Sequence, residues 1–341
     1  MKKDYWKMRF DQVEQSQNNK SVNFVKDLEK KYQKAMIEIN RKIRDWYKRF
    51  AINNKISISE AKKLLTKAEL EELKWSVAEY IEKGKDNQLT ELWTKQLENA
   101  SAKFHISRLE ALKIECQQSL EVATGGMVSN MENTITDVYK DTYYKSCFEI
   151  QKGVGVGFNV AKIDDNYVSK IISKPWAVDE INFSTRLWGN KTKLINTLQR
   201  ELLTMAMTGN APDKSIEAIQ KAMQVSRFNA TRLVQTEQAY FTTLAQNDCY
   251  KDLDVEQFEV VVTLDDRTCE KCQPQDGKHY PIKDMTAGIN APPFHPLCRC
   301  TTCPYFDDME GYRASRGKDG KTVFTVSANT TYEEWKVMQG V

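Results

Sequence analysis

The residues of this chain best suited to chemistry crowd into two short runs. The segments TLDDRTCEKCQPQDGKHYPI and APPFHPLCRCTTC hold five of the eight cysteines: Cys269, Cys272, Cys298, Cys300 and Cys303. Cys269 and Cys272 form a C-x2-C pair, which presents two thiolates from a single tight turn. After 22 intervening residues, His295 and Cys298 form an H-x2-C pair. Two such pairs complete a tetrahedral Cys3His zinc site, and thiolate with imidazole favours zinc over magnesium or calcium. Clustered cysteines in a reducing cytosol point to metal rather than to disulfides. The fourth ligand stays open, since Cys300 could replace Cys298 or His295. His279 and Cys303 are spare donors, and Cys300 and Cys303 could equally be small packed residues or free thiols.

A catalytic zinc keeps one coordination position for water. Here the donors outnumber the four positions, so a closed, structural site is expected. Asp265, Asp266, Arg267 and Asp276 could supply charge for chemistry, but Asp and Arg beside a turn more often lock that turn. The remaining cysteines, Cys116, Cys147 and Cys249, are scattered through helical sequence and read as small core residues. QKGVGVGF, with glycines at 153, 155 and 157, superficially resembles a phosphate-binding loop. No strand precedes it and no Lys-Ser or Lys-Thr follows, so it reads as a hinge between helical segments.

The elements that must position the Cys/His cluster are mostly helical. Val25, Leu28, Tyr32, Met36, Ile39, Ile43, Trp46 and Phe50 recur at spacings of three and four, which predicts an amphipathic helix over 22–50. Its stripe suits packing within the chain or a coiled coil with another subunit. Ser57, Ser59 and Glu60 are placed to start the next helix. Leu89, Leu92, Trp93, Leu97, Leu109 and Leu112 continue the pattern until Gly125-Gly126 breaks it, and another helix is expected over about 129–150. Helices resume over 183–245, with Ser184 as a cap and a turn at Gly209-Asn210-Ala211-Pro212 before Asp213 and Ser215. Alternation at Phe258, Val260 and Val262 marks a short strand, and Asp276-Gly277 a turn. Strands are expected mainly between about 255 and 285. The fold class is therefore mainly α, with long helical N-terminal and central regions and a small zinc-stapled α+β module near the C-terminus. The division along the chain is 1–150 helical with a basic amphipathic helix, 151–250 central helical, 251–310 zinc module and 311–341 tail.

Composition limits the function classes. No apolar run is long enough to span a bilayer, and the opening MKKDYWKMRF lacks the apolar stretch of a signal peptide, so folding in the cytoplasm of the producing cell is expected. The net charge of +3 conceals an asymmetry: residues 1–50 hold 14 Lys and Arg against 7 Asp and Glu. Such a basic arm meets nucleic acid or an acidic protein surface, or is simply a solvated helix face.

The segments LDDRTCEKC, the DGK turn and PPFHPLCRC resemble the core of the phage head-morphogenesis family, the Mu F-like and SPP1-type minor head proteins. TRLVQTEQAYF at 231–241 resembles the family's Arg and Thr-Glu helix, and FSTRLWGNKTKL at 183–194 the helix before it. DYWKMRF and TYEEW resemble the ends of minor capsid proteins from phages and prophages of Gram-positive bacteria. The resemblance implies a non-enzymatic virion head component, assembled in the host bacterial cytoplasm. It also implies association with the portal and procapsid and a role in head assembly and DNA packaging or delivery. Phage DNA is a further candidate partner, and no small-molecule substrate is implied. The family's Asp and Arg fall on Asp265 and Arg267, its metal-type positions on Cys269, Cys272, His295, Cys298 and Cys300, and its helix motif on Arg232, Thr236 and Glu237. Some relatives carry a fused toxin domain, for which the stretch after the motif leaves no room. Two rival readings are a zinc-stapled nucleic-acid-binding protein, supported by the basic arm and Arg299, and a metal-dependent hydrolase.

Overall fold

The computed structural model describes residues 3–50, 63–86, 90–103, 106–155, 157, 160, 162–208, 212–306, 312–316, 323–327, 334 and 337. The expected caps Ser57 and Ser59, and most of TYEEW, lie outside them. Eight helices are described: α1 (Lys3–Phe50), α2 (Lys67–Asp86), α3 (Glu91–Ala102), α4 (Arg108–Thr124), α5 (Met127–Val154), α6 (Asp165–Ser173), α7 (Phe183–Thr208) and α8 (Asp213–Asp252). Five strands follow: β1 (Gln257–Val261), β2 (His279–Pro281), β3 (Thr301–Tyr305), β4 (Tyr312–Arg316) and β5 (Val323–Ser327). The chain is thus mainly helical, with a three-stranded antiparallel sheet of order β2-β1-β3 near the C-terminus and a separate β4–β5 pair.

The contacts group the chain into two compact units that interleave in sequence. One comprises residues 1–24, 131–180 and 232–341; the other comprises 25–130 and 181–231. The expected divisions at 150, 250 and 310 follow the linear chain, whereas this grouping follows contacts.

Among the described residues, the named elements of the second unit are all helices. Leu70, Leu73, Val77, Trp93, Leu97 and Ile106 form a buried cluster, and Trp93 Nε1 donates to Gln118 Oε1 at 2.6 Å. α3 is capped by Thr90, and α4 begins with a reciprocal capping box between Ser107 and Glu110. At the head of α7 the cap is Asn182, whose Oδ1 accepts from Thr185 N at 2.9 Å; Ser184 already lies inside the helix. Lys191 and Glu121 form a buried ion pair at 2.6 Å.

One feature of α1 differs from expectation, and another decides between the two readings open for its stripe. The helix starts at Lys3 rather than near 22, because Trp6, Phe10 and Val13 continue the buried face upstream. The apolar stripe is also internal core and not a docking face: Leu28, Ile39 and Trp46 are 3%, 0% and 7% exposed. Tyr32 Oη lies 3.0 Å from Ser226 Oγ, and Trp46 Nε1 donates to the Arg108 carbonyl at 3.2 Å. Charge on the arm is likewise engaged. Lys7 pairs with Glu259 at 2.6 Å, both side chains buried, and Arg9 with Glu149 and Lys20 with Asp141 each at 2.8 Å.

In the first unit Gly153 lies within α5, where a Cβ would come 2.4 Å from Trp6 Cη2. The glycine lets the Trp6 and Tyr5 rings approach the α5 backbone closely, a packing role in place of the expected hinge. Gly155, at φ 76°, follows the last turn. β1 is buried along both faces, since Glu259, the residue expected to point outward, is neutralised by Lys7. β3 lies beyond the expected 255–285 stretch. Its Thr301 and Thr302 are buried because they hydrogen-bond Gln246 on α8, at 3.0 and 2.7 Å. That partner is remote in sequence, so no local alternation announces the strand.

Candidate metal centre

The cluster is built on two turns inserted between strands. The first follows β1. Cys272 N donates to the Cys269 carbonyl at 2.9 Å, and Gln273 N donates to the same oxygen at 3.1 Å. The second precedes β3 and repeats the device, with Cys298 N donating to the His295 carbonyl at 3.2 Å. Leu297, between the ligands, has φ 64°. This left-handed conformation, costly for a branched residue, is held by Thr236 on α8, whose Oγ1 accepts from Leu297 N at 3.2 Å.

The two turns face one another. His295 Nε2 lies 3.1 Å from both Cys269 Sγ and Cys272 Sγ, and Cys272 Sγ lies 3.8 Å from Cys298 Sγ. The donor atoms form two triads sharing Cys272. Cys269, Cys272 and His295 make one; Cys272, Cys298 and Cys300 make the other; each lies within 4.8 Å. With zinc–sulfur bonds of about 2.3 Å, tetrahedral geometry puts two sulfurs about 3.8 Å apart. The Cys272–Cys298 separation fits that edge, while the sulfur–nitrogen distances are short of the about 3.5 Å such geometry requires. His295 Nδ1 donates to the Pro296 carbonyl at 2.7 Å, which orients the ring with Nε2 toward the sulfurs. A ligating histidine is commonly oriented by such a bond.

The donors also share protons. Hydrogen bonding to Cys272 holds the Cys298 thiol well below its usual range, and the same contact raises Cys272. Cys300, almost fully buried, is raised by hydrogen bonding to Cys272 and Cys298. His295 is pushed up to about 9, chiefly by its hydrogen bond to Cys298. Cys269 is lowered: burial opposes ionisation, but hydrogen bonds centred on Cys272 outweigh it. A set of donors competing for protons is suited to a divalent cation that replaces them.

The other expected residues are placed as follows. Asp265 is buried and receives Arg299 through two bonds, Nη1 to Oδ2 at 2.5 Å and Nη2 to Oδ1 at 2.7 Å. Its Oδ1 also accepts from Arg267 N at 3.1 Å and Thr268 Oγ1 at 3.2 Å. The Arg267 side chain is 71% exposed with Nη2 3.9 Å from Asp265, so its contribution to the turn is its backbone N–H. Asp276 Oδ1 accepts from Val262 N at 3.0 Å, and Gly277, at φ 73°, completes the turn into β2. His279 stacks on Tyr305 with centroids 4.1 Å apart, and Cys303 is buried in β3; neither joins a donor triad. On α8, Arg232 is exposed and its carbonyl accepts from Thr236 Oγ1 at 2.6 Å. Glu237 is buried and accepts from Trp176 Nε1 at 2.8 Å, with Trp176 stacked on Tyr240.

Sequence reasoning missed the role of Arg299. It stood as a nucleic-acid contact, but its guanidinium is committed to Asp265. The signal available was its position between Cys298 and Cys300, with a conspicuous Asp-Asp-Arg preceding the first ligand pair.

Residues 196–303 match the family described as phage Mu protein F like protein. The match begins within α7, includes all of α8 and ends at Cys303, so it covers both ligand turns. No curated protein and no solved structure matches the chain. Among the described residues, no helix is long and apolar enough to cross a membrane.

Proposed function

We propose that this chain, whose residues 196–303 match the phage Mu protein F-like family, is a non-enzymatic minor head protein. In this reading it joins the portal and procapsid during head morphogenesis and assists DNA packaging or delivery. The observation that carries the reading is the family match, which covers the helix motif and both ligand turns as one continuous segment. Fold alone would not support a function. A structural family also favours a closed metal site over an active one.

The module would hold one zinc ion through Cys269, Cys272, His295 and Cys298, with Cys300 as the alternate to Cys298. Zinc supplies a covalent-strength staple between two turns separated by more than twenty residues. A small, turn-rich module needs one because its own core is limited. The two buried aspartates beside the site, Asp265 and Asp276, are committed to the turns they hold. The commitment of Arg299 to Asp265 likewise favours a protein scaffold over a nucleic-acid surface.

The test is incorporation. Expression of the tagged chain with the portal and major capsid proteins of its own genome should give heads that contain the chain, with portal co-purifying from lysed heads. Heads that form normally and contain none of it would overturn the proposal.

A further inference from the structure

Cys147 on α5 and Cys249 on α8 stand apart from the metal cluster, yet their Sγ atoms lie 3.0 Å apart. That is inside ordinary sulfur–sulfur contact, and both side chains are buried at 1% and 0% exposure. Two thiols held in this way already meet one requirement of a disulfide, that the two side chains reach one another.

The same two helices line a surface cavity of about 260 Å³, with Tyr139 and Tyr143 from α5 and Asp248 and Asp252 from α8. Tyr143 is one turn before Cys147 on α5, and Asp252 is nearly one turn after Cys249 on α8. Tyr143 Oη donates to Asp252 Oδ2 at 2.5 Å, and both residues line the cavity.

We propose that Cys147 and Cys249 are a redox modification site, closed to a disulfide by a small peroxide that reaches them through this cavity. Cys147 is the attacking thiol. Its contact with Cys249 lowers its pKa, whereas burial and the neighbouring Cys147 raise Cys249. The Cys147 thiolate attacks one peroxide oxygen, the O–O bond breaks, and the departing hydroxide takes up the proton lost from Cys147. The resulting sulfenic acid is then attacked by Cys249. The S–S bond forms, the S–O bond breaks, and the Cys249 proton leaves with the hydroxyl as water. Two thiols are oxidised and one peroxide is reduced to two waters. The product pins α5 to α8 across the long loop between residues 147 and 249, which restricts the unfolded chain.

The test uses the full-length, zinc-loaded protein, treated with hydrogen peroxide, quenched, alkylated under denaturing conditions and digested with trypsin without reductant. Mass spectrometry should recover Ser146–Lys152 joined to Leu233–Lys251, two hydrogens lighter than the separate peptides. Cys147→Ser and Cys249→Ser should each abolish the linked species with unchanged circular dichroism. In Cys249→Ser, Cys147 should become reactive to a sulfenic-acid reagent. The oxidised wild type should melt several degrees higher, reversibly on reduction, and Cys147→Ser should show no such rise. Recovery of both peptides fully alkylated would overturn the proposal, as would links confined to cysteines 269–303. A linked species that lowers the melting temperature would overturn the claim that the native fold accommodates the bond.

Discussion

Arg299 grips Asp265 through two parallel hydrogen bonds, at 2.5 and 2.7 Å, and so ties together the two turns that carry the metal donors. Asp265 lies just before the Cys269–Cys272 turn, and Arg299 sits between Cys298 and Cys300. The carboxylate is buried, so removing its partner would leave a charge in a poor solvent. Arg299→Lys keeps the charge but loses the planar fork. It should destabilise the module by about 1–3 kcal/mol, on the scale of a lost charge-assisted bond. Asp265 titrates below its ordinary value: burial opposes this, but Arg299 prevails. A depressed carboxylate pKa adds stability that is present above the unfolded value and lost as pH falls through the folded one. Urea titration of wild type and Arg299→Lys should therefore show a gap at pH 7 that narrows below about pH 4. A gap that is constant across that range would contradict the assignment.

Metal content distinguishes the ligands. Elemental analysis of protein purified without chelator should give one zinc per chain. Cys269→Ser and Cys272→Ser should lose it and expose the module around 255–303 to protease, while helical signal persists. Cys303→Ser should retain the metal, because Cys303 packs in β3 outside both donor triads. If Cys298 is the fourth ligand, as proposed above, Cys298→Ser should lower zinc affinity more than Cys300→Ser. Thiolate donors compete with protons, so affinity should fall with acidification. Stoichiometric zinc in Cys272→Ser would refute this ligand set, since Cys272 belongs to both triads.

Glu14 on α1 is buried and accepts a hydrogen bond from Gln238 Nε2 at 3.0 Å. Burial, opposed by that bond and reinforced by the charge on Cys298, pushes its pKa up to about 8. A raised carboxylate pKa means stability that is fully present below the unfolded value and lost as pH rises through about 8. Glu14→Gln keeps an acceptor and cannot ionise. Its melting temperature should match wild type near pH 4 and exceed it at pH 9, and calorimetry at both values checks this.

Gly153→Ala sets two effects against each other. Alanine in a helix gains about 1 kcal/mol over glycine. The new methyl would meet the Trp6 ring at 2.4 Å, and overpacking of this kind costs about 1–3 kcal/mol. Because Trp6 is fully buried and has no free direction to yield, the clash should prevail and stability should fall. Gly157→Ala meets nothing within 4 Å and serves as the neutral control. A Gly153→Ala protein more stable than wild type would show that the helix pair accommodates the methyl.

The long helices and the two ligand turns were legible in the sequence, because both are local. The periodicity of Leu28, Tyr32, Ile39, Ile43 and Trp46 specifies one face of one helix, and C-x2-C and H-x2-C each specify one turn. Asp276-Gly277 was legible for the same reason, since an aspartate accepting a backbone N–H and a glycine at positive φ meet the needs of a single bend. Family resemblance added the expectation that these turns and the α8 motif form one segment.

What α1 packs against, and which side chains serve the turns, only the tertiary structure decided. Periodicity shows that a face is apolar and carries no information on whether its partner is internal. Burial of Leu28, Ile39 and Trp46 resolves that in favour of the chain's own core. Arg299 reaches Asp265, Thr236 holds Leu297, Lys7 neutralises Glu259, and Cys147 meets Cys249 across sequence separations of 34 to 252 residues. Such pairings follow from how helices and strands are brought together. An isolated lysine, threonine or cysteine in the sequence has no spacing that records its distant partner.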